Sequence, residues 1–291
     1  MSVADWFSTF FFFIRISNND ESTIMNRYHQ ITKRINLDYY NTSSDTAHSL
    51  YIGSYGRDTE IYTSDIDMLV QLPYATYEKF NGYSSNGQSQ LLQEVKNVLA
   101  KTYSVTNLKG DGQIISLPFQ DGINFEVLPT FVNNDGSYTY PNSNDGGSWK
   151  VTNPKAEINA IKEMNDKCNN NLKPLCRMIR AWKNKCGVDI SGILIDIFAH
   201  RFISTWSDRD KSFLYYDWMS RDFLKFLSEQ DAKQSLWQAM GSGRYIYHSG
   251  SFVNKAKAAY NIAVEATNKG SDYPTTAKSK WREIYGSKFP A

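Results

Sequence analysis

The chain has 291 residues, of which 41% are hydrophobic and 21% charged, as in ordinary soluble globular proteins. This length allows one large or two medium-sized domains with a full hydrophobic core. The net charge of +2 is small for a protein that coats nucleic acid, so no stable nucleic-acid binding is expected. Its three cysteines cannot all pair and no CxxC motif occurs, which argues against a disulfide scaffold or structural zinc and favours a reducing, cytoplasmic setting.

Two helices are predicted at the N-terminus, over about residues 3–16 and 21–36. Apolar residues recur at helical spacing in the first of them, so this helix should pack on the body of the protein. Its run "FFFFI" is far shorter than the roughly 20 residues of a membrane span. No basic region or cleavage site typical of a signal peptide surrounds it. We therefore expect no membrane association.

A small mixed sheet with helices is predicted for about residues 38–150. The segments "HSLYIGS" and "IDMLVQL" have the pattern of strands, and "NGQSQLLQEVKNVLAKTY" that of a helix. Short strands are also predicted from "YSVTNL", "QIISLPF" and "INFEVLPTF", because turn residues separate them. The stretch "NNDGSYTYPNSNDGGSWKVTNP" has no periodicity. From Lys155 onward nearly all of the chain is predicted to be helical, which gives N-terminal helices (1–37), a sheet core (38–150) and a helical domain (151–291).

The segment "GSYGRDTEIYTSDIDMLVQL", at positions 53–72, carries the clearest chemical signal. Its Asp65 and Asp67 lie on one face of a strand, while Ile66 faces the other way. Two like charges so placed repel each other, so they either contact opposite charges on a surface or bind a metal ion. Gly53 and Ser54 end the preceding strand in a turn whose N–H groups and hydroxyl can bind phosphate oxygens.

A third carboxylate occurs in the apolar strand "INFEVLPTF". Alternation places Asn124, Glu126 and Leu128 on one face of that strand, where a Glu buried without a partner would be costly. Three carboxylates on neighbouring strands suit two hard divalent cations, Mg²⁺ or alternatively Mn²⁺, which ~3.5–4 Å apart can act on a phosphate ester. We therefore predict a catalytic metal site at Asp65, Asp67 and Glu126.

The order Gly-Ser, about ten residues, Asp-x-Asp and a later acidic residue resembles the pattern of the polymerase-β-like nucleotidyltransferases. Within that superfamily the chain resembles the CD-NTases, bacterial cyclic-oligonucleotide synthases related to oligoadenylate synthetase and cyclic GMP-AMP synthase. The likeness extends through "NGQSQLLQEV", "GDGQII", "FEVLPTF", "GGSWKVTNPKAE" and "NLKPLCRMIRAWK" to the C-terminal helices, and so covers nearly the whole chain. It implies an α+β fold, with a polymerase-β-like core of a mixed sheet and helices followed by a helical domain.

Three positions depart from the family pattern. The third carboxylate is usually Asp in "FDVLP", whereas here it is Glu126, which is one methylene longer. Asp58 stands where "GSYGRGT" would be commoner. Ile193 stands where many relatives carry an aromatic residue, so base stacking is not expected there.

The resemblance also implies phosphate-binding residues in the helical part of the chain. Arg180 takes the place of the basic residue that, in the oligoadenylate-synthetase pattern, reaches the triphosphate from its helix. Ser191, followed by glycine, resembles the serine-glycine that binds the same phosphates at the start of the next helix. The segment "GSGRY" and the pair Arg221-Asp222 could line a base pocket, or could form only a turn and a helix pair.

The implied function is that of a template-independent nucleotidyltransferase. It would join NTPs, at least one of them a purine nucleotide, into a cyclic di- or trinucleotide and release pyrophosphate. In this family the product activates a downstream effector in anti-phage (CBASS-type) signalling. Some members are also joined through their C-terminal residue to other molecules by an accessory ubiquitin-transfer-like enzyme.

Two alternatives remain open. The first is a related enzyme that makes a linear oligonucleotide or extends an RNA end, using the same carboxylates; the near-neutral charge argues mildly against RNA binding. The second is a catalytically silent nucleotide sensor. Such a sensor would more often lose Asp65 or Asp67, and both are present.

The last segment, "PTTAKSKWREIYGSKFPA", is predicted to form a helix that docks on the body and to leave "GSKFPA" as a tail. The docking residues are Trp281, Ile284 and Tyr285, which have helical spacing. The four histidines are scattered along the chain and are interpreted as packing or surface residues.

Overall fold

The structure is a computed structural model that describes residues 2–62, 65–104 and 108–291. The described residues form two compact units. The mixed unit takes its residues from 16–56 and 63–155, and the helical unit from 1–15, 57–62 and 156–291. Helix α1 (Val3–Ile14) therefore belongs to the helical unit, and α2 (Asn18–Tyr39) to the mixed unit. Domain boundaries at 37 and 150 stay a prediction.

The mixed unit is built on one sheet, in the part of the chain that the structure describes. Its strands follow the order β1-β2-β5-β4-β3, with β6 paired to β5 and β7 paired to β6. The β2–β5 pair is parallel and the others are antiparallel. The remaining helices of this unit are α3 (Gly53–Gly56), α4 (Tyr74–Asn81) and α5 (Gly87–Ala100), and the strands are β1 (Ser49–Tyr51), β2 (Asp65–Gln71), β3 (Lys109–Asp111), β4 (Ile114–Leu117), β5 (Asn124–Val132), β6 (Tyr138–Asn142) and β7 (Ser148–Thr152).

Side chains alternate along a strand, so the β2–β5 pair has two faces with different neighbours. Ile66 and Met68 of β2, with Phe125 and Val127 of β5, are fully buried in the main core of this unit. Helices α2 and α5 supply the other side of that core, and burial of one such large apolar side chain stabilises a fold by about 1.5–3 kcal/mol. The opposite face carries the predicted carboxylates, near the N-terminal ends of β2 and β5.

The helical unit consists mainly of helices packed around one core. The hairpin β8–β9 interrupts the helices, so the prediction that nearly all of this part is helical missed these two strands. Besides α1, the unit contains most of α6 (Pro154–Lys167), α7 (Leu172–Cys186), α8 (Gly192–Thr205), α9 (Tyr216–Ser228), β8 (Leu236–Gln238), β9 (Tyr245–Tyr247), α10 (Val253–Lys269) and α11 (Pro274–Tyr285).

The C-terminal residues close an aromatic cluster with α1. Phe289 is fully buried, and its ring centroid lies 5.2 Å from that of Phe7 and 5.3 Å from that of Phe10. Trp281 and Tyr285 are buried beside it, which confirms the predicted docking of α11. The prediction of a free "GSKFPA" tail is wrong, because Phe289 belongs to the core.

Several other predicted elements can be compared with the structure. The strands β1, β2, β4 and β5 and the helices α1, α2 and α5 are confirmed, with ends that differ by a few residues. Strands β3, β6 and β7 and helix α4 were not predicted, and β3 lies where a turn was expected. The predicted strand "YSVTNL" falls partly outside the described residues, and its described residues are not in a strand. Among the described residues, no helix combines the length and apolar character needed to span a membrane.

Candidate active site

The parallel pairing of β2 with β5 brings the predicted carboxylates together. Asp67 pairs directly with Glu126, and Asp65 pairs with Asn124. The Asn124 amide donates a hydrogen bond of 3.2 Å to Oδ1 of Asp65. Asp65 is exposed, while Asp67 and Glu126 are half-buried. The two strands thus present three carboxylates on one face of the sheet. Because the strands are parallel, both begin at the same edge of the sheet, and the carboxylates lie near that edge.

Strands β4 and β3 extend this polar row across the sheet. Ser116 pairs with Glu126 from the other side, and Lys109 pairs with Ser116. Directly paired residues share a face, so the row runs from Lys109 through Glu126 to Asp67. Sequence analysis did not identify Lys109 or Ser116, because neither strand shows a regular alternation long enough to fix its register.

The Gly-Ser turn packs directly against Asp67. The N–H of Ile52 donates to the carbonyl oxygen of Asp67 at 2.9 Å, which ends β1 at this point. Gly53 follows with a φ of +63°, in the left-handed region that favours glycine. A Cβ atom at Gly53 would lie 1.9 Å from Oδ2 of Asp67, so a side chain here would displace the Asp67 carboxylate. Ser54, the next residue, is half-buried in the short helix α3.

The side chains of Asp65, Asp67 and Glu126 suit a hard divalent cation, because each offers carboxylate oxygens. Within residues 2–62, 65–104 and 108–291, no three His, Cys, Asp or Glu side chains are already grouped as a metal site. The fit to a metal therefore rests on the register of Asp65, Asp67 and Glu126 and on the close packing of Gly53 against one of them. The register places the three carboxylates at one edge of the sheet. Glycine at position 53 keeps a side chain out of the space beside Asp67.

Arg180, predicted to bind phosphate, lies in the helical unit and is almost fully buried. Its Nη1 and Nη2 donate to the two carboxylate oxygens of Asp196 at 2.6 and 2.9 Å, and Nη2 also donates to the carbonyl oxygen of Gly192 at 3.0 Å. This is the bidentate geometry that makes arginine–carboxylate pairs strong. The structure therefore gives Arg180 a role in tying α7 to α8.

Asp196 is the centre of a buried ionic cluster. Arg57 Nε and Thr59 Oγ1 donate to its Oδ2 at 2.9 and 3.0 Å. Burial acts to raise the pKa of this carboxyl, but the guanidinium groups of Arg180 and Arg57 outweigh it and hold the pKa below its ordinary value. Sequence analysis missed Asp196, although a lone acid within the apolar segment "GILIDIF" was a signal for a buried, paired charge.

Ser191 is the N-cap of α8, as predicted from its place before the helix. Its side chain accepts a hydrogen bond from the N–H of Leu194 at 3.3 Å, which satisfies one of the free N–H groups of the first turn. Gly192 follows at the first helical position, and a Cβ atom there would lie 3.3 Å from Nη2 of Arg180. The glycine thus leaves room for the buried guanidinium.

Asp58, the position where glycine is commoner in the family pattern, has a φ of +57°. This left-handed conformation explains the preference for glycine, since a side chain there is strained. In this chain the Asp58 carboxylate forms ion pairs with Lys173, at 2.8 Å, and with Arg177. Arg177 also donates from Nε to the carbonyl oxygen of Glu60 at 2.9 Å. These contacts offset the strain and anchor the segment 57–62 within the helical unit.

The segment "GSGRY" contains the turn between β8 and β9 and the first residue of β9, and Glu157 holds the turn on α6. The Glu157 Oε1 atom accepts hydrogen bonds from Ser242 Oγ at 3.0 Å and from Arg244 Nε at 3.2 Å. Arg221 and Asp222 form an ion pair on α9, at 2.7 Å. Both segments therefore have structural contacts of their own, as the simpler of the two interpretations expected, and a role in a base pocket stays a prediction.

Comparison with known proteins agrees with this fold and this site. The family model of the Second Messenger Oligonucleotide or Dinucleotide Synthetase domain (SMODS) matches residues 1–165, more than half of the chain. The chain therefore belongs to the SMODS family, and it is a nucleotidyltransferase of the CD-NTase class. It is 22% identical over 253 residues to the cyclic AMP-AMP-AMP synthase of Acinetobacter sp., with 84% of this chain and 73% of that relative covered.

Solved structures of other CD-NTases have a similar fold. The structure of CdnC from E. coli MS115-1 with ATP matches with a TM-score of 0.71 and 13% identity, covering 98% of each chain. The CD-NTase CdnG from Bradyrhizobium diazoefficiens in complex with GTP matches with a TM-score of 0.69 and 10% identity, covering 98% of this chain and 95% of that one. These likenesses show the polymerase-β-like fold, so the predicted α+β class is confirmed.

Proposed function

We propose that this chain joins NTPs into a cyclic di- or trinucleotide and releases pyrophosphate. The observation that carries the proposal is the register of β2 and β5, in which Asp67 lies beside Glu126 with Gly53 packed against it. Family membership supports cyclic-oligonucleotide synthesis in general. The ATP and GTP bound by the two similar structures support at least one purine NTP as substrate here.

In the proposed reaction, Asp65, Asp67 and Glu126 would hold two Mg²⁺ ions. When bound, such ions stabilise the charge on the phosphoryl oxygens and lower the pKa of an attacking ribose hydroxyl. By holding these ions, the carboxylates would position the ribose hydroxyl in line with the α-phosphorus. The hydroxyl loses its proton to solvent, its oxygen bonds to the α-phosphorus, and the bond to pyrophosphate breaks. Gly53 and Ser54 contribute N–H groups and a hydroxyl to the triphosphate. A second transfer closes the ring.

Arg180 and Ser191 are proposed to bind the β- and γ-phosphates, as the family pattern implies. Arg180 would then bind phosphate through its Nε–H, because its four Nη–H donors are directed at Cys176, Asp196 and Gly192. We expect Arg180→Ala to raise KM for NTPs more than it lowers kcat, since phosphates are already bound in the ground state. A lower kcat at unchanged KM would contradict this role.

The deciding experiment is to incubate the purified chain with all four NTPs and Mg²⁺, and in parallel with Mn²⁺, and to identify the products by mass spectrometry after phosphatase treatment. A ring has no terminal phosphate, so we expect a phosphatase-resistant product of two or three nucleotides. A ladder of phosphatase-sensitive linear products would favour the linear synthase, and extension of added RNA the terminal transferase. The matched control is Asp65→Asn/Asp67→Asn, in which product formation should cease.

A role in anti-phage signalling follows from the family and is proposed on that basis, with a downstream effector that binds the product. It is tested by phage challenge of cells that carry the gene with its genomic neighbours. Wild-type cells should survive better than cells with the Asp65→Asn/Asp67→Asn variant. Equal survival would contradict a signalling role that depends on the reaction.

A further inference from the structure

Lys109 lies at the end of the polar row on the carboxylate face of the sheet in the mixed unit. It pairs with Ser116 across β3 and β4, and Ser116 pairs with Glu126 across β4 and β5. Neighbouring strands lie about 5 Å apart, so two strand steps put Cα of Lys109 roughly 10 Å from Cα of Glu126. Because lysine carries its ammonium group on a flexible four-carbon stem, that group can contact a molecule bound at Glu126.

The residues next to Lys109 fix the face on which its side chain lies. Leu108, just before it, is buried in the main core of the mixed unit, and so is Ile115 beside Ser116. Side chains alternate along a strand, so Lys109 and Ser116 lie on the face opposite to that core. Lys109 is exposed there. Its ammonium group is therefore on the same face as Asp67 and Glu126.

The charge of Lys109 is available to a ligand. Among the residues that the structure describes, Lys109 has neither an ion pair nor a side-chain hydrogen bond. The turn between β3 and β4 is held in place, because the N–H and the hydroxyl of Ser143 donate to the carbonyl oxygen of Gly112 at 2.7 and 3.0 Å. An exposed ammonium group on an anchored hairpin suits an anionic ligand, and phosphate is an anion that lysine commonly binds.

The two ends of the polar row lie on the two sides of the proposed reaction. At one end Gly53 packs against Asp67, and the Gly-Ser turn is proposed to bind the triphosphate whose pyrophosphate leaves. In phosphoryl transfer the attacking and leaving oxygens lie roughly in line, on opposite sides of the phosphorus. The attacking ribose hydroxyl therefore comes from the side of Glu126, and the rest of the acceptor nucleotide extends toward Ser116 and Lys109. That nucleotide is itself an NTP and carries a triphosphate of its own.

We propose that Lys109 binds the 5′-triphosphate of the acceptor, the NTP whose ribose hydroxyl attacks. This inference rests on the proposed function and adds a basis for substrate choice, namely preference for a triphosphate over a nucleoside as acceptor. The contact is already made when the acceptor binds. Loss of the charge should therefore raise KM for the acceptor more than it lowers kcat.

The test uses 2′,3′-dideoxy-ATP as the donor nucleotide, because it has no ribose hydroxyl and cannot act as acceptor. The purified full chain with Mg²⁺ receives ATP or adenosine as acceptor, and in parallel GTP or guanosine. Products that end in dideoxyadenosine are quantified by mass spectrometry. Lys109→Gln should lower kcat/KM for the triphosphate acceptors about tenfold or more. It should leave kcat/KM for the nucleosides unchanged, because they have no phosphate for Lys109 to bind.

Two further variants complete the test. Lys109→Arg keeps the charge and should retain most of the preference for triphosphates. Lys33→Gln is the matched control, because Lys33 is exposed on α2, which packs on the opposite face of the sheet. It should behave as wild type does. The inference is overturned if Lys109→Gln keeps the wild-type preference, or if it lowers kcat/KM equally for triphosphates and nucleosides. If wild type forms no dideoxy-terminated product from any of the four acceptors, the proposed function is wrong and this inference fails with it.

Discussion

Gly53 and Asp67 approach each other so closely that no side chain fits between them. A Cβ atom on Gly53 would lie 1.9 Å from Oδ2 and 2.7 Å from Cγ of Asp67. The φ of +63° at Gly53 independently favours glycine. The Gly-Ser turn and one of the proposed metal ligands are therefore packed as a unit, so the position of one fixes the position of the other.

Gly53→Ala should reduce turnover while the fold survives. The added methyl group must displace the Asp67 carboxylate, and a shift of about 1 Å in an active site can cost about 100-fold in rate. The measurement is pyrophosphate release from NTPs, with thermal unfolding to check the fold. Gly136→Ala is the matched control: Gly136 also has a positive φ, of +80°, but a Cβ atom there meets nothing within 4 Å. It should cost about 1–2 kcal/mol of stability and leave turnover unchanged. Wild-type turnover of Gly53→Ala would contradict the proposed site.

Asp65→Asn/Asp67→Asn should abolish pyrophosphate release, because neutral amides cannot hold two divalent cations. The fold should survive, because asparagine has the size of aspartate and the two side chains are exposed (Asp65) and half-buried (Asp67). Activity is measured with each NTP mixture, and stability by urea unfolding. Glu78→Gln, an exposed acid on α4, is the control for loss of charge. Pyrophosphate release at the wild-type rate would place the reaction elsewhere in the protein.

Glu126 is expected to tolerate shortening but not loss of charge. Glu126→Gln should lower turnover by about 100-fold, equal to about 3 kcal/mol of transition-state stabilisation. Glu126→Asp restores the residue common in the family pattern, and its carboxylate remains beside Asp67 in the strand register, so activity should be kept or improved. Steady-state kinetics at saturating Mg²⁺ measures both. Equal turnover of wild type and Glu126→Gln would remove this residue from the site.

The strands that hold the proposed carboxylates could be predicted because alternation is strong there. Ile66 and Phe125 are buried on one face, while Asp67 and Glu126 lie on the other. Their direct pairing could not be predicted, since register depends on how β2 and β5 meet in space. Strands β6 and β7 were missed because their polar, turn-rich sequence lacks a period, although Tyr138 is buried.

Contacts between distant parts of the chain were equally hidden. Arg180 and Asp196 lie on different helices, and a helix pattern indicates only which face is apolar. The arginine could be assigned to phosphate by family resemblance, but its carboxylate partner is visible only in three dimensions. Phe289 was likewise placed in a tail, because it follows the glycine that ends α11 and a single apolar residue there gives no periodic signal.

Asp196→Asn should destabilise the protein by about 3–5 kcal/mol, because it leaves Arg180 and Arg57 buried without a full counter-charge. The pKa of Asp196 is lowered in the folded state, so its contribution is present above the unfolded pKa of about 3.9 and is lost as pH falls through the folded pKa. Urea unfolding at pH 7 and at pH values down to 3 measures both effects. Asp272→Asn, at an exposed site, should change neither. Equal stability of wild type and Asp196→Asn at pH 7 would contradict the ionic cluster.

Phe289→Ala should cost about 3–5 kcal/mol of unfolding free energy, as expected for truncation of a buried phenylalanine. The cost arises because Phe289 fills the space between α1 and α11, with its ring 5.2 Å from Phe7 and 5.3 Å from Phe10. Ser287→Ala, an exposed position in the same segment, is the matched control and should unfold at the wild-type urea concentration. Below the unfolding transition, Phe289→Ala should retain pyrophosphate release, because none of its contacts involves the proposed carboxylates. A wild-type urea midpoint for Phe289→Ala would mean that the segment is a loose tail after all.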